Sequence, residues 1–278
     1  MFSINHFVWI GLCIVFVTAM TIIALKHEWK LKKSGYVMTV ICTFSEVSKV
    51  MSNMTESPNG GMHLDPLSLP FHLCSLMIFA VLFITFGKEG RAKRLTINFV
   101  SVMGILGSFC AIMIPTNGTD FTTFPAYQCF IYHAGLMWFA LYLIFSGEAK
   151  PTVKSMAENM LILSILIFIM LYVNGALSGY DANFFYLTRP PIEGLSYLNL
   201  NHGWYAYLGR MLLLGIILIL LFHMPFIIKE RKSGILNMAK NQTEPHPLET
   251  GNGEQFIKKN QEAFNCEKID ESGNSEHN

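Results

Sequence analysis

Glu46, Lys49, His72, Cys74, Gln128, His133 and Arg210 all fall in or beside apolar runs, where polar side chains are costly and are functional candidates by default. Cysteine and histidine have the clearest chemistry among them. A thiolate is a nucleophile, and an imidazole beside it takes up its proton and later returns it to a leaving group. His72 and Cys74 are two positions apart, roughly 200° around a helix, so they do not readily serve each other. The partner of Cys74 must come from another span, and His133 meets that need. Together they could make a nucleophile and its general base. Gln128 and the Ser75 hydroxyl are candidates to stabilise an oxyanion, and Arg210 or Arg189 to hold a phosphate.

Plainer readings stand beside these. Glu46 and Lys49, three apart on one helical face, are placed to neutralise each other. An intramembrane Cys is usually a small hydrophobe. Arg210 can reach outward or pair with Glu46. The pairs Gly104/Gly107 and Gly175/Gly179 suit close helix packing.

The elements that must position these groups are membrane spans. Hydrophobic residues make up 52% of the 278, charged residues 14%, and mean hydropathy is +0.40. Sixteen of the thirty-nine charges lie in the last fifty residues, so the first 228 carry about one in ten, against about one in four in a globular domain. So little charge cannot cover a water-exposed surface. The expectation is an all-α, polytopic bundle over 1–228 and a polar, disordered cytoplasmic tail over 229–278. Seven segments approach the length a bilayer requires: Phe7–Leu25, Gly35–Met51, Leu67–Phe86, Leu95–Ile114, Tyr127–Phe145, Met156–Val173 and Trp204–Ile228. The first lacks a basic flank and a small-residue cleavage site, so it reads as a retained helix.

Lysine and arginine orient the bundle. Lys26, Lys30, Lys32 and Lys33 follow span one, and Lys88, Arg91, Lys93 and Arg94 follow span three. Lys150 and Lys154 follow span five, and Lys229, Arg231 and Lys232 follow span seven. The alternate loops hold Arg189 alone. The positive-inside rule then puts the N-terminus outside. With that orientation Cys74, His133 and Arg210 lie six or seven residues in from the outer face, roughly 10 Å deep at 1.5 Å per residue. Glu46 and Lys49 lie in the outer half of span two. The polar groups gather in one half of the membrane.

Other chemistries lack their residues. A net charge of +1 without a basic stripe argues against nucleic acid. There is no GxGxxG, no GxxxxGK[ST], no HExxH and no CxxC. No metal or organic cofactor is expected.

Leu69-Pro70-Phe71-His72-Leu73-Cys74-Ser75-Leu76 resembles the "LPLHLC-S-L" signature of the YwaF-like integral membrane family, which includes animal transmembrane protein 164. Tyr127-Gln128 with Tyr132-His133-Ala134-Gly135-Leu136 is similar to the family's "Y...HHG" span. Asn183 to Leu187 with Pro190/Pro191 resembles its "NYxFL..P" loop, and Gly203-Trp204-Tyr205 its "GPWPWY" segment. The motifs run in order from Gly35 to Ile228. The resemblance implies a seven-helix fold, a Cys- and His-dependent acyltransferase acting on phospholipids, and the family's Cys and His at Cys74 and His133. Tyr132 replaces the first of the paired histidines, and the prolines of the last motif are missing.

Two functions follow. One is an intramembrane lipid acyltransferase or esterase, with membrane lipids as its partners and a bacterial plasma membrane as its setting. The other is a non-enzymatic transporter or receptor-like module, in which Glu46, Lys49, His133 and Arg210 line an outward-facing pocket for a small solute. Cys74 separates them, since only catalysis needs its sulfur.

Overall fold

A computed structural model describes the backbone of residues 2–56, 61–192 and 196–243, with side chains up to 54, over 61–192 and over 196–232. The expected tail from 244 onward lies outside the described residues. Met1–Glu230 forms one compact unit. Its helices are α1 (Ile4–Lys26), α2 (Leu31–Ser52), α3 (Leu73–Phe86), α4 (Arg91–Met113), α5 (Phe124–Phe145) and α6 (Val153–Ala176). The last, α7, runs Trp204–Thr243, past the expected limit at Ile228 and across Pro225. A short antiparallel pair, β1 (Met54–Glu56) and β2 (Met62–Leu64), precedes α3 where only a loop was expected.

Local chemistry sets several of the boundaries. Ser3 caps α1 by accepting from the His6 N–H. Thr152 and Ser155 form a reciprocal capping box at α6. Pro125 sits in the first turn of α5, where its missing N–H costs nothing.

Five helices, α1, α4, α5, α6 and α7, are long and apolar enough to cross a membrane. Two expected spans differ. Helix α2 has 22 residues but is diluted by its lysines and serines. Helix α3 has only 14 residues and starts at Leu73, not Leu67. The cause lies in the residues just before it. Asp65 caps a 3-10 turn over Pro66–Ser68. Pro70 then offers no N–H and holds Leu69 extended, at φ −57° and ψ 147°. The helix restarts only after His72.

Helix α5 is the hub, with contacts to α1, α2 and α4. Two thirds of its apolar window is buried (67%), against 11% for α6 and for α7. Trp138, Phe139, Phe130 and Tyr142 fill its core positions. In lipid there is no hydrophobic drive between helices, so contact area and hydrogen bonds must hold them. Trp9 of α1 stacks on Phe130 of α5 and on Phe121, each at 4.7 Å between centroids. His6 Nε2 lies 2.8 Å from Ile112 O, joining α1 to α4. Tyr142 Oη donates to Trp29 O at 2.6 Å.

Of the glycines expected at helix contacts, only Gly104 is tight. A Cβ there would lie 2.9 Å from Ala140 Cβ, whereas Gly107, Gly175 and Gly179 face open space. Gly35 and Gly135 also approach neighbouring helices closely, at Thr85 and Ile41.

Candidate active site

The short α3 changes where Cys74 sits. It is the second residue of the helix, in the first turn, and not seven residues inside one. His72 precedes the helix as its N-cap, with extended φ/ψ and no capping bond from its side chain. The first-turn N–H groups of a helix have no intrahelical partner and carry its positive pole. Cys74, in that first turn, sits at this pole.

Helix α5 brings the histidine. His133 is nine residues in from Phe124 and buried. Its Nδ1 lies 2.7 Å from the Cys129 carbonyl, one turn back. A carbonyl only accepts, so Nδ1 carries the proton and Nε2 keeps its lone pair. Cys129 Sγ lies 3.6 Å from the same Nδ1 and within electrostatic range of Cys74. The residue before His133 does something different. Tyr132 Oη donates to the backbone carbonyl of Cys74 at 2.5 Å, which ties α5 to the first turn of α3.

Helix α2 supplies charge. Lys49 Nζ lies 2.7 Å from Glu46 Oε1, so the two make the ion pair expected of them. That oxygen is not aligned for a hydrogen bond, so the contact is Coulombic. Lys49 also donates to Ser75 Oγ at 3.1 Å, and its charge acts on both His72 and Cys74. Gln128 Nε2 donates to Ser45 Oγ at 2.6 Å, joining α5 to α2.

Residues Leu177 to Ile192 fold over this end. Asn174, in the last turn of α6, grips the backbone of Phe184, donating to its carbonyl at 2.9 Å and accepting from its N–H at 2.8 Å. Phe184 and Leu187 are buried against Leu69, Phe71, Leu73 and Leu76. The His72 ring packs on Phe184 and Tyr186, at 5.2 and 5.4 Å. Phe185 and Tyr186 are both left-handed, at φ 59° and 54°, a strained backbone for two aromatic residues. Burial pushes the Tyr186 phenol up, and Thr116 shares its hydroxyl. Helix α7 closes the far side: Trp204 Nε1 donates to Leu187 O at 2.8 Å and Tyr207 Oη to Tyr186 O at 2.5 Å.

The arginines serve this loop. Arg210 Nη2 donates to Asn199 O at 2.6 Å, and Glu46 pairs with Lys49 instead, so the expected Arg210–Glu46 pair does not form. Arg189 is paired with Asp181 inside the loop.

Around Cys74 the structure brings Ser75, Lys49, Glu46 and Tyr132, with His72 at the helix start; His133 follows Tyr132 on α5, and among the described residues no hydrogen bond joins it to Cys74. Sequence reasoning missed Cys129, Tyr186 and Asn174. Only Cys129, one helical turn before His133, left a spacing that marks it. Among the described residues, no three His, Cys, Asp or Glu side chains form a metal set.

The TMEM164 family model matches residues 1–223, which takes in α1, outside the motifs that carry the resemblance. No curated protein and no solved structure matches the chain.

Proposed function

The chain belongs to the TMEM164 family of membrane proteins, and from that premise we propose that it is an intramembrane acyltransferase or lipid esterase with Cys74 as nucleophile and His133 as base. In this reading all seven helices cross the bilayer, the N-terminus is outside, and the membrane is a bacterial plasma membrane. Phospholipid or a similar acyl ester is the substrate.

One observation carries the reading: the Tyr132–Cys74 hydrogen bond. It ties the first turn of α3, which bears Cys74, to the residue that precedes His133 on α5. The Cys129 carbonyl leaves Nε2 of His133 as the basic nitrogen. Nε2 takes the thiol proton as sulfur attacks the ester carbonyl. The C–S bond forms, the ester C–O bond breaks, and the departing lysolipid oxygen takes the proton from the imidazolium. A hydroxyl acceptor or water then attacks the thioester and gives its proton to His133; the new C–O bond forms, the C–S bond breaks, and the departing sulfur takes the proton back. Ser75 suits the oxyanion better than Gln128. Its oxygen accepts from Lys49, which leaves its O–H free to donate, whereas one of the two N–H groups of Gln128 is spent on Ser45 and holds the amide toward α2. Membrane lipids remain the partner class.

The test is activity-based labelling in lipid nanodiscs with a lipid-like electrophile, read by peptide mass spectrometry. Selective modification of Cys74 is expected, lost in Cys74→Ser and about a hundredfold slower in His133→Ala. Labelling of Cys74 no faster than of Cys13 or Cys110 would overturn the dyad and favour the solute-binding module.

A further inference from the structure

Thr21, Thr85 and Ser164 show how a hydroxyl within a helix is usually spent: each donates to the carbonyl one turn back, at 2.7 to 2.8 Å. Ser75 differs. It is the third residue of α3, so the carbonyl one turn back belongs to Phe71, ahead of the helix. Among the described residues its hydroxyl makes one hydrogen bond, and there it accepts, from Lys49 Nζ at 3.1 Å. An ammonium can only donate, so the O–H of this buried serine is left for another acceptor.

Lys49 is an unusual donor to find there. It stands in the last turn of α2, partly buried, with Glu46 Oε1 2.7 Å away. A cation in apolar surroundings is costly unless it is paired. Glu46 balances the charge, and the hydrogen bond goes to Ser75. A hydroxyl that accepts from a cation is the stronger donor, because each bond in a chain polarises the next. This hydroxyl belongs to the residue after Cys74. Their Cα atoms are about 3.8 Å apart and their side chains diverge by about 100°, so thiol and hydroxyl fork from one turn. Tyr132 holds the same turn through the Cys74 carbonyl. Among the described residues no hydrogen bond joins Lys49 to Cys74 itself.

We infer that Lys49 is a positioning residue for acyl transfer: it holds the Ser75 oxygen so that the O–H meets the carbonyl oxygen of the ester that Cys74 attacks. The inference rests on the acyl-transfer reading. As the S–C bond forms, the carbonyl π pair moves onto oxygen. The Ser75 O–H donates a hydrogen bond to that oxyanion and keeps its proton. When the C–O bond to the lysolipid breaks, the pair returns and C=O forms again. Charge behind the donor is felt most when the oxygen is negative, so Lys49 favours the transition state over the bound ester.

Two reactions of Cys74 isolate this role. Acylation by p-nitrophenyl decanoate passes through an oxyanion, whereas alkylation by iodoacetamide displaces iodide at a saturated carbon and forms none. Both rates are measured on the full-length protein in nanodiscs, with the adduct on Cys74 read by peptide mass spectrometry. Ser75→Ala is one variant. Lys49→Met is made together with Glu46→Gln, so that no unpaired carboxylate remains. Each is expected to slow acylation about tenfold or more and to leave alkylation within about twofold of wild type. Combining all three substitutions should cost no more than Ser75→Ala alone, since Lys49 acts through Ser75. If acylation and alkylation fall together in Glu46→Gln/Lys49→Met, Lys49 acts on the thiol or the fold and the inference is overturned. Unchanged acylation in either variant overturns it too, as do losses that multiply in the combination. A wild-type Cys74 that alkylates but takes no acyl group overturns the acyl-transfer reading, and this inference with it.

Discussion

His133 has one ring nitrogen committed to a backbone carbonyl and the other unassigned, so the side chain of Cys129 is dispensable while its carbonyl is not. Cys129→Ala is therefore expected to keep Cys74 labelling within about twofold of wild type, since the peptide group that orients the imidazole stays. Tyr132→Phe removes a single hydrogen bond worth about 1 kcal/mol and loosens the turn that carries Cys74. Cys74 labelling should fall about fivefold with little change in Tm, which separates a positioning role from a folding one. Asn174 is the converse case. Asn174→Ala leaves the buried N–H and carbonyl of Phe184 without partners and should cost about 2 kcal/mol, read as a lower Tm in detergent. Nothing in the sequence around Asn174 announced this, because its partner is backbone ten residues away, in a loop whose fold depends on tertiary packing.

At the scale of elements, the apolar runs located all seven helices, since period and length are local properties of the chain. The start of α3 was also legible, through Pro66 and Pro70, but the apolar run from Leu67 masked it. A stretch of apolar side chains looks the same whether its backbone is helical or extended. Glycine spacing was a poorer guide. Gly104 and Gly107 look equivalent in the sequence, yet only the first faces a neighbouring helix closely. Gly104→Val should push α4 from α5 at Ala140 and destabilise by about 1–3 kcal/mol, while Gly107→Val should be nearly neutral. A thermal-shift comparison of the two variants checks the difference. The Cys–His pairing could be proposed from depth and resemblance alone. The Tyr132 bond beneath it could not, because a backbone carbonyl leaves no mark in a sequence.

For the whole molecule, the inward bias of Lys and Arg makes a direct prediction. A membrane-impermeant maleimide should label Asn117→Cys only from outside and Lys88→Cys only from the cytoplasmic side, in a background lacking Cys110. Labelling both from one face would reverse or break the proposed topology. The 14 residues of α3 also bear on the surrounding lipid. They span about 21 Å, against a hydrocarbon core of about 30 Å. If α3 crosses the bilayer as proposed, the leaflet must thin beside it or the helix must sit deep. Under the proposed function, ester groups and the first turn of α3 would be drawn to one level, and bilayer thickness would control turnover: thin membranes would bring substrate to the thiol, and thick ones hold it away.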